Sequence, residues 1–262
     1  MPIIAIAGAQ TPLDTTSWSP VARIVYERKW ASPFVYHYPS VHQVRFEMEL
    51  RAATVAAAER LGYSGMKFSD FKDARCNPWV WQRTELGGFK IREGVPPAAG
   101  IRDIFVNGSL YATECATATI IVVYKAVLDT IGDTQFNRLF DGLLLYDWQV
   151  DDDLRLIKRK GIESYPGDLL YINNPDFDPA TPQWRGENVV KISDDHFYGH
   201  PLGVAPLEIF ITGLNGVRRP GAFISAYLTD DVVYPDHAYL SQFAPGMRQK
   251  VIGRIGGKRV VD

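Results

Sequence analysis

One cysteine stands where a long apolar helix is predicted to begin, and that position could make it a nucleophile. Cys115 follows Glu114, and the apolar spacing behind it continues to Gly132. The unpaired N–H groups of a first helical turn favour an anion, and thiols there have pKa values lowered from ~8.5 to about 3.5–7.5. A cysteine ahead of an apolar helix also fits a small buried hydrophobic side chain. Spacing alone leaves both interpretations open.

Several long strings of rare residues surround this cysteine in a fixed order. They are ECATA at 114–118, DTIGDTQFNRLFDGLLLYDW at 129–148 and GDLLYINNPDFDPATPQWRGENVV at 167–190. In order and spacing they closely resemble the bacterial spore-coat transglutaminases. With weaker matches the resemblance covers roughly residues 2 to 230, and residues 231–262 form a divergent C-terminal tail.

The resemblance implies an α+β fold with a papain-like core of the compact type also found in cell-wall peptidases. In that core a cysteine-bearing helix packs on an antiparallel sheet that supplies the other catalytic groups. The chain shows no linker and no internal repeat, so we expect one transglutaminase domain over residues 1–262.

A thiol needs a base to transfer acyl groups, and the resemblance assigns that role to an acid. The family's second catalytic motif is intact at 183–188 and supplies Glu187 as the partner of Cys115. Glu114 is a second acid, expected to substitute for it in part. A thiolate and a nearby carboxylate repel, so the pair should share one proton, and burial should raise the pKa of Glu187 from ~4.3 toward neutrality.

Three further residues of these motifs are expected to support the site. By resemblance His200 corresponds to a family histidine, and we expect it to orient the base. Trp184 should form an apolar wall beside Glu187, and Trp184 and Asn188 are predicted to bind substrate. Cys76 has neither a helix start nor a partner motif, so we expect no catalytic role for it.

The reaction implied is transfer of the γ-carbonyl of a protein glutamine to a lysine ε-amine through a cysteine thioester, with release of ammonia. The sequence contains no Cys/His zinc spacing and no calcium-loop pattern, so no cofactor or metal is expected. One alternative is a papain-like cell-wall peptidase or amidase that uses water as acceptor. A second is a catalytically inactive coat scaffold.

Composition limits the partners and the location. The 28 basic and 30 acidic side chains give a net charge of -2, so nucleic acid and anionic membrane are not expected as partners. The apolar start at 2–7 lacks a basic segment, which predicts no signal peptide. For a spore-coat protein this implies synthesis in the mother-cell cytoplasm followed by deposition in the coat. The expected partners are coat proteins that carry the glutamine and the lysine, and the oligomeric state stays open.

The elements that must position these residues follow from periodicity and turn signals. Helices are predicted at 15–32, 41–61 (with Gly62 as its stop), 98–105 and 134–139, and a hairpin within 65–98. Strands are predicted at 143–146, 169–172, 188–192, 196–198 and 208–212.

Overall fold

The computed structural model describes residues 4–10, 12–246, 252–255 and 258–261 of the chain. The helices are α1 (Pro20–Ala31), α2 (Val41–Tyr63), α3 (Pro97–Val106), α4 (Cys115–Ile131), α5 (Asp133–Leu139), α6 (Leu207–Gly216) and α7 (His237–Leu240). The strands are β1 (Ile4–Ile6), β2 (Tyr36–Tyr38), β3 (Lys67–Phe68), β4 (Trp81–Arg83), β5 (Phe89–Ile91), β6 (Ala112–Thr113), β7 (Leu144–Leu145), β8 (Leu156–Lys160), β9 (Leu169–Asn173), β10 (Gly186–Lys191), β11 (His196–Gly199), β12 (Gly203–Pro206), β13 (Tyr227–Leu228), β14 (Asp231–Pro235), β15 (Ile252–Ile255) and β16 (Lys258–Val261).

An antiparallel sheet forms the second half of the fold. Its strand order is β12-β11-β10-β9-β14-β8, and β13 pairs with β9. Within it Glu187 of β10 lies opposite Ile172 of β9, and Val190 lies opposite Tyr198 of β11. Since successive strand residues point to opposite faces, this register decides which motif side chains can meet the cysteine.

Helix α4 runs through the largest apolar core. It packs on α2 and on β10, and its side chains from Ala116 to Leu128 are all buried. The opposite face of the sheet is covered by α6, whose Phe210 and Leu214 join the same apolar cluster as Ile172 and Val189. The predicted α+β arrangement, a cysteine-bearing helix on an antiparallel sheet, is confirmed.

The helix boundaries follow the capping residues. Ser19 and Ser40 accept hydrogen bonds from the first turns of α1 and α2, and Gly132 ends α4 with φ of 77°. The predicted stop at Gly62 is wrong, because α2 continues through it to Tyr63. The left-handed residue that follows this helix is Gly65, with φ of 85°, so the chain turns three residues later than expected.

The predicted strand at 208–212 is also wrong, because these residues belong to α6. The short apolar run Ile209–Ile211 fits a strand. However, Leu207, Phe210 and Leu214 have the i, i+3, i+7 spacing of one helix face. Phe210 and Leu214 are buried against the sheet, while Ile209 is exposed. Burial of the Phe210 and Leu214 face against the sheet stabilises the helix over the predicted strand.

The stretch after residue 230 contributes to the sheet. Strand β14 pairs with both β8 and β9, and α7 follows it with Tyr239 and Leu240 buried. The predicted divergent tail therefore begins with residues that are part of the main fold.

A buried ion network connects the N-terminal helices to the sheet. Glu47 of α2 binds Lys29 of α1 at 2.7 Å and Arg51 at 2.9 Å. Arg51 also binds Asp168 at 2.6 Å, just before β9, and the Tyr38 hydroxyl donates to Glu47. Each charge is buried but paired, so the network holds α1, α2 and the sheet in one arrangement.

Candidate active site

Cys115 is the first residue of α4, as the sequence predicts, and the helix start is capped by its neighbour. Glu114 is the N-cap, and its two carboxylate oxygens accept the backbone N–H groups of Ala116 at 2.5 Å and Thr117 at 2.6 Å. These are the N–H groups expected to stabilise a cysteine thiolate. The free N–H groups at the helix N-terminus are therefore bound by the Glu114 carboxylate and not by the Cys115 sulfur.

The protonation of Cys115 therefore differs from the expectation. Burial raises the pKa of the Cys115 thiol, the charges of Glu187 and Glu114 raise it further, and hydrogen bonds from Asn188 lower it. The prediction of a lowered thiol pKa is wrong, because desolvation and two acids outweigh the helix terminus. The resting residue is a thiol, and it needs a base to become a nucleophile.

Asn188 is the residue that contacts the sulfur directly. Its side-chain Nδ2 donates to Cys115 Sγ over 3.3 Å. It shares a face of β10 with Val190, which packs in the core around α4. Sequence reasoning predicted Asn188 to bind substrate, and this contact with the nucleophile was missed because it depends on the pairing of α4 with β10.

Glu187 precedes Asn188 and points to the other face of the strand. It is 7 % exposed, and its Oε1 is buried with no hydrogen-bond partner in the part of the chain that the structure describes. Burial raises the pKa of this carboxyl well above its ordinary 4.5, the backbone N–H of His200 lowers it, and the Glu114 charge raises it. Glu187 and Cys115 are close enough for each charge to disfavour the other, as expected for a pair that shares one proton.

His200 lies beside the site, but its ring is turned toward other partners. Its Nε2 donates to the backbone carbonyl of Lys67 at 3.0 Å. Burial lowers the pKa of His200, while the carbonyls of Lys67 and Thr113 raise it. The neutral ring thus joins the end of β11 to β3 and to β6, the strand just ahead of Cys115 that pairs with β3. The backbone N–H of His200, not its ring, reaches Glu187.

The predicted wall at Trp184 belongs to an aromatic group next to the site. The Trp184 ring stacks on Phe68 with centroids 5.5 Å apart and an interplanar angle of 16°. Phe68 in turn lies 6.2 Å from the His200 ring. Of these rings, Phe68 also lines the cleft that opens onto Cys115.

A cleft of about 1070 Å³ opens onto the nucleophile. Cys115, Glu114 and Asn188 line its inner end, and the aromatic rings of Phe68, Phe71 and Tyr171 line its walls. A cleft of this size accommodates more than one side chain. Cys115 is thus half-buried and accessible from the cleft.

Asp147 also lines this cleft and was not predicted as a site residue. Its backbone N–H donates to the Thr117 hydroxyl at 2.8 Å, in the first turn of α4. It adopts a left-handed conformation with φ of 48°, which aspartate tolerates better than most residues. The string YDW in the sequence marked a family motif but gave no sign that its acid faces the cysteine.

Other reactive residues lie away from this cleft. Burial raises the pKa of Cys76 to about 11, which disfavours its thiolate. In the described ranges no three His, Cys, Asp or Glu side chains are grouped so that they could hold a metal ion. Within the same ranges no helix has the length and apolarity needed to cross a membrane.

Comparison with known proteins agrees with these features. A family model described as protein-glutamine gamma-glutamyltransferase matches residues 3–244. A protein-glutamine gamma-glutamyltransferase of Bacillus cereus (strain B4264) is 47% identical over 210 residues, which are 80% of this chain and 76% of that protein. Another from Bacillus cereus (strain 03BB102) is 45% identical over 222 residues, 84% of this chain and 80% of that protein.

A solved structure is similar over most of the chain. The transglutaminase from Geobacillus stearothermophilus, without its C-terminal extension, superposes with a TM-score of 0.76 and 49% sequence identity, covering 79% of this chain and 99% of that one. The matched family region extends past β14 and α7, beyond the limit near residue 230 that the sequence motifs indicated. On the evidence of the family model, the relatives and the shared fold, this chain belongs to the protein-glutamine gamma-glutamyltransferase family.

Proposed function

We propose that this chain transfers the γ-carbonyl group of a protein glutamine to the ε-amine of a protein lysine, forming an isopeptide cross-link. The observation that carries the proposal is the half-buried Cys115 thiol, which lines a cleft, with the buried Glu187 carboxyl close enough for its charge to act on the thiol, in a chain of this family. Both groups have raised pKa values, because burial and mutual repulsion disfavour their charged forms, so the pair shares one proton.

In the first half of the reaction the Cys115 sulfur attacks the glutamine carboxamide carbon. Glu187 accepts the thiol proton as the C–S bond forms, and it returns that proton to the nitrogen as the C–N bond breaks. Ammonia leaves, and a thioester remains on Cys115. A carboxyl with an ordinary pKa would be a weaker base, and near neutral pH it would rarely hold the proton that it must return to the nitrogen.

In the second half a lysine amine attacks the thioester carbon. Its proton passes to Glu187, the C–S bond breaks, and the sulfur recovers a proton from Glu187. The product is the ε-(γ-glutamyl)lysine bond. Water competes for the same thioester, so partial exclusion of water by the aromatic group around Trp184 favours the amine.

The neighbouring residues act as supports. Asn188 steadies the sulfur as its charge develops, because an amide donor stabilises a thiolate more than a thiol. Glu114 holds the helix start and is a second carboxyl within reach of the proton. His200 is a positioning residue, since its ring fixes the strands that precede Cys115.

We also propose that the substrates are spore-coat proteins and that the chain works as one domain made in the mother cell. The support is the similarity of its motifs to the spore-coat enzymes. The test is whether purified coat proteins become cross-linked when the chain is added to them. Cross-linking of unrelated proteins at the same rate would oppose a coat-specific role.

The activity itself is tested with a glutamine-containing protein and dansylcadaverine in the presence of EDTA, because no metal takes part in the proposed steps. Covalent fluorescence on the protein is expected, and Cys115→Ala is the matched control. A parallel incubation with peptidoglycan peptides tests the alternative. Peptide hydrolysis without amine incorporation would replace the transferase by a cell-wall peptidase.

A further inference from the structure

The Glu187 side chain lies on the face of the sheet that α6 covers. Glu187 pairs with Ile172 of β9, and Val189 pairs with Gly199 of β11. Paired residues share a face of the sheet, and so do alternate residues of one strand, so all four positions face the same way. Phe210 of α6 joins the apolar cluster that contains Ile172 and Val189. The carboxyl therefore belongs to the layer between the sheet and α6.

Gly199 brings this carboxyl and the Phe210 ring together. A methyl group added at Gly199 would lie 3.1 Å from Glu187 Oε1 and would overlap the ring. Gly199 does not have a positive φ, so its backbone conformation is open to other residues. What this position requires is the absence of a side chain, because the carboxyl and the ring both pack on its Cα.

The surroundings of Oε1 are apolar on this side. Ile172 and Phe210 are both buried, and Oε1 has no hydrogen-bond partner within the described part of the chain. A carboxylate oxygen that is buried without a donor destabilises the charged form of its group. Burial is also the largest cause of the raised pKa of Glu187.

Other titratable groups face Glu187 from the start of α4, from β9 and from β11, and they are Cys115, Glu114, Tyr171, Tyr198 and, through its backbone, His200. The first four carry no positive charge in any protonation state. The His200 ring is neutral, because burial lowers its pKa. Within the described residues, none of these side chains stabilises the carboxylate with a positive charge, which leaves its exclusion from water as the main control on its proton.

From this packing we infer that Phe210 and Gly199 are positioning residues for the transfer reaction. The Phe210 ring keeps water from Glu187 Oε1, and Gly199 leaves the space in which the ring and the carboxyl meet. The inference rests on the proposed function, in which Glu187 accepts and returns a proton. Helix α6, through one aromatic side chain, then sets the pH range in which the acid works.

The inference is tested by the pH dependence of kcat/KM for amine incorporation in Phe210→Ala and Phe210→Leu. Glu187 must be ionised to accept the thiol proton, so its pKa sets the acid limb of the profile. Phe210→Ala admits water to the carboxyl, and we expect the acid limb to move down by about one pH unit, part of what full burial can produce. Phe210→Leu keeps an apolar wall and should move the limb less.

Leu214→Ala is the matched control. Leu214 lies one helical turn after Phe210 and is buried in the same apolar cluster, so both alanine variants should lower the unfolding temperature. Only Phe210→Ala should move the acid limb. Gly199→Ala is a second, independent variant, since its methyl group must displace the ring or the carboxyl. Its rate should fall by about 10- to 100-fold, the effect of a displacement of about 1 Å at a reacting group.

A titration of the Glu187 carboxyl by ¹³C NMR measures the same effect without activity. The signal is identified by its absence in Glu187→Gln, and its pKa should be lower in Phe210→Ala than in the wild type and unchanged in Leu214→Ala. An unchanged titration in both Phe210 variants, or an equal change in Leu214→Ala, would overturn the inference while the transferase function stands. Absence of amine incorporation by the wild-type chain would overturn the proposed function, and the titration would still decide whether Phe210 controls the proton of Glu187.

Discussion

Asn188 donates its side-chain amide to the sulfur of Cys115 over 3.3 Å, although Glu187, the residue before it, is the one with the buried carboxyl. Strand alternation explains this arrangement, because neighbouring residues of β10 point to opposite faces. The nucleophile is thus held by an amide on one side, while the acid interacts with it electrostatically. The two motif residues have separate tasks.

We predict that Asn188→Ala lowers amine incorporation by about 10- to 100-fold, the effect of one hydrogen bond to a charged group. Asn188→Asp should be worse, since a third acid next to Cys115 raises the pKa of the thiol further. The measurement is the rate of alkylation by iodoacetamide against pH in a Cys76→Ala background. An alkylation profile unchanged in Asn188→Ala would show that the contact does not act on the thiol.

Cys115→Ala is expected to abolish both thioester formation and amine incorporation, while Cys76→Ala keeps nearly full activity. Burial raises the pKa of Cys76 to about 11, and it does not line the cleft. Mass spectrometry of the protein with a glutamine peptide detects the acyl group on sulfur. Loss of that adduct in Cys76→Ala would reverse the assignment.

Replacing Glu187 by glutamine should reduce the rate at least ~10²-fold, the low end of general-base contributions. It should also change how stability depends on pH. Because burial raises the pKa of Glu187 in the folded state, the stability linked to its proton is present below the unfolded value and is lost as pH rises through the folded value.

The unfolding temperature of Glu187→Gln should therefore match the wild type below about pH 4.5, the ordinary pKa of the group. Above that pH the variant should become more stable than the wild type. The difference should grow by up to about 1.4 kcal/mol for each pH unit between the unfolded and the folded pKa of Glu187. Thermal unfolding from pH 4 to 9 measures this difference. A constant difference across the range would mean that the carboxyl is not desolvated.

Glu114 is predicted to matter for stability as well as for rate. Loss of an N-cap costs about 0.5–2 kcal/mol, so Glu114→Ala should unfold at a lower temperature, whereas Glu114→Asn, a good capping residue, should restore most of the stability. If Glu114 also takes part in proton transfer, the double variant Glu114→Gln with Glu187→Gln should be slower than Glu187→Gln alone. A double variant of equal rate would leave Glu114 with the capping role only.

The buried ion network offers a test of the fold. Glu47→Gln leaves Lys29 and Arg51 without their shared partner, and breaking a buried pair costs about 3–5 kcal/mol. Glu49→Gln is the control, because its 2.7 Å pair with Arg45 on the same helix is about half exposed and should contribute at most about 0.5 kcal/mol. Urea unfolding of the two variants gives the comparison.

The sequence predicted most elements because their ends carry recognisable residues. Ser19, Ser40 and Gly132 define helix ends by local chemistry. The prediction of a strand at 208–212 was wrong because the apolar residues there fit the spacing of a strand and that of a helix. Only burial against the sheet selects the helix. The predicted stop at Gly62 was wrong because one glycine costs a helix only about 1 kcal/mol, so packing of the surrounding residues can extend the helix past it.

The site was less predictable than the fold. Glu187 was found only through its motif, because a single glutamate carries no sign that it will be buried. The direction of the thiol pKa was missed because burial of Cys115 and the nearby charges of Glu187 and Glu114, which raise that pKa, depend on tertiary packing. In the sequence, Lys29, Glu47 and Arg51 resemble exposed charged residues of a helix. Their burial depends on packing between distant parts of the chain and could not be predicted locally.

The capping of α4 by Glu114 has a consequence for the lifetime of the enzyme. Peroxides and disulfides react with thiolates far faster than with thiols. A cysteine that keeps its proton until a substrate carbonyl arrives is therefore slow to form sulfenic acid or mixed disulfides. Because burial and the nearby acids, including the capping Glu114, keep the thiol protonated, the chain gains resistance to oxidants at the cost of resting nucleophilicity.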